Sequence, residues 1–281
     1  MTLPRSLYSR ASKPPMNIQK RNNIHIFGDG PATMVLAHGF GCNQSMWRHF
    51  VPAFRDSYRI VLFDLVGSGE SDLAAYDELK YDSLHGYADD LLEIIDYCGA
   101  GPVTFIGHSV SSMIGLLASN VAPAKFAAHV MVGPSARYID DDGYRGGFSR
   151  ADINDLLATM DSNYLGWSST MAPAIMGVPN QPELGEELAN AFCRTDPKIA
   201  KHFARVTFLS DHRADLSKST APTLILQCTD DLIAPVEVGQ FIHNALPQSS
   251  LVLIENTGHC PHLSAPDESV AAIRRFFTTL G

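Results

Sequence analysis

Gly107-His108-Ser109-Val110-Ser111 decides the architecture of this chain. The pentapeptide follows the apolar run Val103-Thr104-Phe105-Ile106. It leads into Ser112-Met113-Ile114-Gly115-Leu116-Leu117-Ala118, which has the composition of a buried helix. A serine on so sharp a strand-to-helix turn sits on strained backbone that lifts its hydroxyl off the sheet, the posture of a nucleophile. Small residues two before and two after the serine let strand and helix pass closely. Gly107 meets that need, and Ser111, where glycine is usual, meets it sterically.

An acid and a base follow in the chain order that such a serine calls for. Pro222-Thr223-Leu224-Ile225-Leu226-Gln227-Cys228 has the pattern of a buried strand and runs into Thr229-Asp230-Asp231-Leu232-Ile233-Ala234-Pro235. Asp231 is the expected acid, because two apolar residues, a small one and proline follow it. Asp230 is expected to cap the turn or face water. Leu251-Val252-Leu253-Ile254-Glu255 supplies the last strand, and Asn256-Thr257-Gly258-His259 the loop that carries the base. A carboxylate holding one ring nitrogen leaves the other free to take the serine proton and later return it. Met34-Val35-Leu36-Ala37 is a central strand ending in His38-Gly39-Phe40-Gly41, whose glycines let an amide turn into the site. The N–H groups of Phe40 and Val110 are the expected oxyanion-hole donors, and the apolar side chains of both are expected to wall the pocket. Each piece alone is ordinary. Their order, on successive strand ends, points to acyl-transfer chemistry.

A chain of 281 residues suits one large α/β domain with an insertion. The net charge of −9 argues against a nucleic-acid surface. No apolar run approaches the roughly 20 residues that span a membrane, so neither nucleic acid nor membrane is expected as a partner. The five cysteines, at 42, 98, 193, 228 and 260, are scattered and lack C-x-x-C spacing, as reduced thiols in a cytoplasmic protein would be. Residues 1–22 carry Arg5, Arg10, Lys13, Lys20 and Arg21 with no acid and no hydrophobic segment of a signal peptide. They read as a basic, disordered extension, with Met16 a candidate start.

Strands and helices alternate through the core. Asn23 to Phe27, Tyr58 to Phe63 and Ala127 to Val132 are strand-like, and Leu84 to Tyr97 is an amphipathic helix. Such alternation means a mostly parallel, doubly wound sheet, here formed by 23–135 and 214–281. From 136 to 213 the alternation stops. Phe148 to Met160, Tyr164 to Met176, Glu183 to Phe192 and Pro197 to Leu209 are all helical in pattern, with Asp196 at an N-cap and Pro197 at N1. This four-helix insertion is expected after the sixth strand, as a lid over Ser109. Phe148, Trp167, Met171, Ile175, Met176 and Phe203 are its candidate pocket residues, although helix-on-helix packing accounts for about half of such positions.

Other motifs have plainer explanations. Asp64-Leu65-Val66-Gly67-Ser68-Gly69-Glu70-Ser71-Asp72 looks like a phosphate loop, but the spacing is wrong and no helix follows promptly, so no cofactor is expected. His259-Cys260-Pro261-His262 lacks the second cluster of a zinc site, and no metal is expected. His262 is expected to pack behind the loop, His108 to make a structural hydrogen bond, and His38 to position the oxyanion loop. Ser210-Asp211-His212-Arg213 is contiguous and cannot form a triad. It reads as a hinge between lid and core.

With these residues assembled, the chain resembles the α/β-hydrolases from Asn23 onwards. Within them it is similar to the RsbQ type, bacterial energy-stress regulators related to the plant karrikin and strigolactone receptors. The matching stretches are Gly39-Phe40-Gly41, Gly67 to Asp72, Gly107 to Ser111, Tyr144 to Phe148, Ser210 to Arg213 and Gly258 to His262. Phe192-Cys193-Arg194-Thr195-Asp196-Pro197 is similar to the bacterial member in particular. The resemblance implies an α/β-hydrolase fold, a V-shaped lid and a small hydrophobic cavity. It further implies slow hydrolysis of a small apolar ester or lactone, coupled to stress or ligand signalling, with a PAS-domain serine phosphatase as partner. Ser109, Asp231 and His259 carry over as the triad, with Phe40 and Val110 as oxyanion donors. The alternatives are a ligand receptor with hydrolysis secondary, and a haloperoxidase-like perhydrolase using the same triad. Epoxide hydrolases and haloalkane dehalogenases are disfavoured, because they place aspartate where this chain has Ser109.

Overall fold

The computed structural model describes residues 17–280. The apolar runs form seven strands: β1 (His25–Phe27), β2 (Ala32–Ala37), β3 (Tyr58–Phe63), β4 (Val103–His108), β5 (Phe126–Val132), β6 (Thr223–Asp230) and β7 (Ser249–Thr257). They lie in the order β1-β3-β2-β4-β5-β6-β7. Only β1 is antiparallel to its neighbour β3. β4 is buried along its whole length, which is why it reads as a continuous apolar run rather than an alternating one.

Successive strand residues point to opposite faces. Met34 and Leu36 enter one core, which α2 (Phe50–Phe54) covers through Phe50 and Phe54; Val35 and Ala37 enter the other. That second core is closed by α3 (Leu84–Tyr97) and α4 (Val110–Val121). A short α1 (Ile18–Arg21) precedes β1. After β5 come α5 (Arg150–Ser162), α6 (Tyr164–Met176), α7 (Pro182–Arg194) and α8 (Pro197–Phe208). The chain then returns through β6, α9 (Val236–Ala245), β7, α10 (Pro261–Ser264) and α11 (Pro266–Thr278). The insertion starts are set by local chemistry. Ser149 and Asp152 form a reciprocal capping box on α5, and the Asp196 carboxylate accepts from the first N–H groups of α8.

Two expectations need correction. The helical insertion follows the fifth strand of the described residues, not the sixth. Residues 17–22 are not a solvated tail. Asn17 caps α1, and Arg21 is only 4% exposed, lying 3.3 Å from Asp90 and pairing also with Glu93 on α3. A basic run looks solvated in sequence. Here one of its charges is buried because an ion pair compensates it. Residues 1–16, with Met16, lie outside the described residues.

Candidate active site

Ser109 stands between the end of β4 and the start of α4 with φ +55° and ψ −123°, a conformation that side-chain-bearing residues rarely adopt. Its N–H donates to Val132 O at 2.8 Å, so the strain is held by a sheet bond. The turn leaves no room at Gly107, where a Cβ would lie 2.6 Å from Ser111 O. Ser111 explains itself: its hydroxyl donates to His38 O at 2.5 Å and ties the serine turn to the end of β2. Both strand ends lie at the centre of the sheet, where β2 and β4 are neighbours though not consecutive, the crevice in which open α/β sheets bind ligands.

His259 Nε2 lies 2.8 Å from Ser109 Oγ, and His259 Nδ1 lies 2.7 Å from Asp231 Oδ2. Asp231 Oδ1 accepts from the N–H groups of Ile233 and Ala234 at 2.8 and 3.1 Å, which fixes the carboxylate. Asp230, one residue earlier, ends β6 and is exposed; its carbonyl accepts from Gly258 N–H at 2.7 Å, and its carboxylate makes no contact with His259. The Asp231 contact puts the ring proton on Nδ1 and turns an unprotonated Nε2 to the serine hydroxyl. All three groups are buried, so these contacts are little screened by water.

The loop after β2 is set by His38. Its Nδ1 donates to Gly39 O at 2.8 Å, and its Nε2 accepts from Leu65 N–H at 3.0 Å. Burial holds its pKa below the ordinary value, against the pull of Asp64. Gly39 packs against the serine turn, since a Cβ there would lie 2.4 Å from His108 Nδ1. Val110 is the first residue of α4, so its N–H has no acceptor within the helix. Among the described residues the Phe40 N–H has none either.

Above Ser109 is a cavity of about 30 Å³, lined by Phe40, Tyr138, Ile175, Leu188, Phe192 and Phe208, among others. That is room for one or two waters, far below the roughly 300–1,000 Å³ of an ordinary ligand pocket. Of the lid residues picked from sequence, Ile175 lines it; Phe148, Trp167, Met171, Met176 and Phe203 do not. Trp167 packs behind Phe40 and Phe192, with ring centroids 6.4 and 5.2 Å away. Phe203 packs between Tyr87 and Phe40, with ring centroids 4.7 and 5.6 Å away, and does not line the cavity. The Val110 side chain is buried in the core beneath α4 and does not wall the cavity. Periodicity identifies a buried face but not what that face meets. Leu188 and Phe192 were visible as an i, i+4 apolar pair on α7. Tyr138, in the loop after β5, carried no signal. Its phenol faces Ser109, and burial pushes its pKa up.

The remaining motifs make contacts within the fold. The Asp64 carboxylate accepts from Gln44 N–H, Asn23 Nδ2 and Glu70 N–H at 2.8, 2.8 and 3.0 Å, so the glycine-rich loop wraps its own aspartate. His108 Nε2 donates to His259 O at 3.0 Å. His262 lies between Trp47 and His108, with centroids 4.7 and 4.5 Å away, and burial pulls its pKa to about 3. Among the described residues no group of three His, Cys, Asp or Glu side chains is placed to hold a metal ion. In the segment after α8, Asp211 pairs with Arg137 and Arg213. No helix among the described residues is long and apolar enough to cross a membrane.

A central parallel sheet with a strained serine after β4, an aspartate after β6 and a histidine after β7 defines a class of fold, the α/β-hydrolases. The sequence profile of the alpha/beta hydrolase family matches residues 34–273, and the chain belongs to that family. Its relatives are narrower in kind. It is 38% identical over 259 residues to a karrikin insensitive 2 receptor of Petunia hybrida, covering 92% of this chain and 96% of the relative. It is 35% identical over 260 residues to a strigolactone esterase of Arabidopsis thaliana, covering 92% and 97%. Among solved structures, a hydrolase from Oleispira antarctica superposes with a TM-score of 0.91 at 41% identity, covering 93% of this chain and 96% of that one.

Proposed function

We propose that the protein is a serine hydrolase acting slowly on a small, uncharged, largely apolar ester or lactone. The observation that carries this is the continuous line of contacts from Ser109 Oγ through His259 to the Asp231 carboxylate, at 2.8 and 2.7 Å. In this mechanism Ser109 Oγ attacks the carbonyl carbon while His259 Nε2 takes the hydroxyl proton. The carbonyl oxygen becomes an oxyanion held by the N–H groups of Phe40 and Val110. Collapse expels the alcohol, which receives the proton from Nε2 and leaves an acyl group on Ser109. A water then attacks that ester by the same route and frees the acid. For a lactone, the alcohol stays tethered to the acyl group.

The apolar walls and small cavity favour a short acyl chain or a small ring. A cavity of about 30 Å³ admits no such substrate until lid side chains move, which is consistent with slow turnover. The same feature supports a second, receptor-like role. The His259 N–H donates to Ile175 O at 2.8 Å, so the end of lid helix α6 is bonded to the loop of the base. An acyl group that shifts the lid therefore alters the surface that a partner meets, by as much as its affinities for the two lid states differ. The karrikin receptor and strigolactone esterase relatives support this reading. An RsbQ-type role in the cytoplasm, with a PAS-domain serine phosphatase as partner, is its specific form. Turnover of p-nitrophenyl acetate, measured beside ligand-induced shifts in Tm, tests the pair. Turnover of about 10 s⁻¹ or more with no partner in a pull-down leaves an esterase alone.

A further inference from the structure

The cavity above Ser109 has a neighbour. A second pocket of about 290 Å³ lies between α7, the turn at 42–46 and the end of α6. The two volumes share Cys42, Leu188 and Cys260 as wall residues. Cys42 and Cys260 carry short side chains on backbone fixed by the oxyanion loop and by His259. Leu188 is different. It is a long side chain, 5% exposed, on a lid helix. Among the described residues a single ion pair joins α7 to the core, the two-pronged contact of Arg48 with Glu187 at 2.8 and 2.9 Å.

The stripes of α7 show why Leu188 is the boundary. Leu184, Leu188 and Phe192 recur on the buried face, and Phe192 lines only the inner cavity. Glu187, Ala191 and Arg194 form the next stripe; they line the outer pocket and the wider cleft beyond it, and none of them reaches the inner cavity. Leu188 touches both. The buried wall residues of the outer pocket are apolar, among them Met46, Met176 and Leu263, while Glu183, Glu186, Asn190 and Arg194 on the same wall are polar and exposed. Joined, the two volumes reach the lower end of ordinary ligand pockets, about 300 Å³.

We infer that Leu188 is a partition that sets the length of acyl chain accepted at Ser109, and that the pocket behind it is a latent subsite for an unbranched acyl tail. This rests on the acyl-enzyme chemistry proposed for Ser109. Once lid side chains have moved to admit substrate, Leu188 at its full length confines the acyl group to a few carbons. With its side chain shortened, a longer chain bound to Ser109 runs past Cys42 and Cys260 into the pocket between α7 and the 42–46 turn.

The test uses p-nitrophenyl esters from acetate to decanoate, with kcat/KM for each expressed relative to acetate. In the wild type the ratio is expected to fall steeply beyond butyrate. Leu188→Ala is expected to raise the octanoate-to-acetate ratio at least tenfold. Leu188→Val is expected to give a smaller rise, and serves if the alanine variant does not fold. Adding Ala191→Trp, which fills the outer pocket from a position outside the inner cavity, is expected to cancel the gain. An unchanged ratio in folded, acetate-active Leu188 variants overturns the inference, as does a gain that survives Ala191→Trp. Intact-mass labelling of Ser109 by alkyl fluorophosphonates of the same lengths reads the limit without turnover. If no fluorophosphonate labels Ser109, it is the hydrolase proposal that fails.

Discussion

The backbone N–H of His259 donates to the carbonyl oxygen of Ile175 at 2.8 Å, so the last turn of lid helix α6 is fastened to the residue placed to act as base. The fastening is tight. Gly177 caps α6 in the left-handed region, and Gly258, at φ +101°, passes so close that a Cβ there would lie 1.9 Å from Met176 O. A shift of the lid end is therefore expected to carry the His259 loop with it.

Gly258→Ala is therefore expected to act on catalysis through geometry. The added methyl forces the lid end and the His259 loop apart, and misplacement on the order of 1 Å costs roughly 10²-fold in rate. The expected result is a fall of that size in kcat with a lowered Tm, while Ser109 remains accessible to a fluorophosphonate. A silent variant would mean that lid and base are not coupled through this contact.

The acid assignment divides two adjacent residues. Asp231→Asn is expected to lower kcat by roughly 10⁴-fold, because an amide favours the wrong imidazole tautomer. Asp230→Asn, whose side chain is exposed and off the His259 contact, is expected to stay within about twofold of wild type. Steady-state kinetics on one ester decides the matter, and reversed results would shift the acid by one position.

The legibility of Asp231 and the opacity of the pocket have one cause. Ser109, Asp231 and His259 each follow an apolar strand, so their meeting at one edge of the sheet follows from strand order, which local pattern reveals. What Trp167 or Phe203 touches depends on how four helices cross, which no local pattern encodes. Both are buried as expected, yet one supports Phe40 from behind and the other meets Tyr87. Tyr138 lay in a loop without periodicity. Arg21 looked like part of a soluble tail because its partners Asp90 and Glu93 sit about 70 residues away on α3.

Acid is expected to destabilise the fold through buried histidines. His129 is fully enclosed, its ring stacked on Phe126 with both nitrogens unpartnered, and burial pulls its pKa from 6.5 to about 4. The unfolded chain therefore binds the proton first. Stability present above pH 6.5 is lost as pH falls towards 4, by about 2 kcal/mol at pH 5 and about 3 kcal/mol near pH 4. His129→Phe keeps the stacked shape and removes the titration. Urea unfolding at pH 7.5 and pH 5 is expected to show a smaller acid loss in the variant by about 2 kcal/mol. Equal losses in the two proteins would contradict this.

The most direct test of the central claim is the covalent chemistry of Ser109 itself. Protein treated with a fluorophosphonate is digested and the adduct mapped by mass spectrometry, and ester turnover is measured for wild type and Ser109→Ala. A single adduct on Ser109, with turnover in the folded alanine variant reduced roughly 10⁴- to 10⁶-fold, is the expected result. An adduct on another serine, or turnover undiminished in Ser109→Ala, would contradict the assignment of Ser109 as the nucleophile.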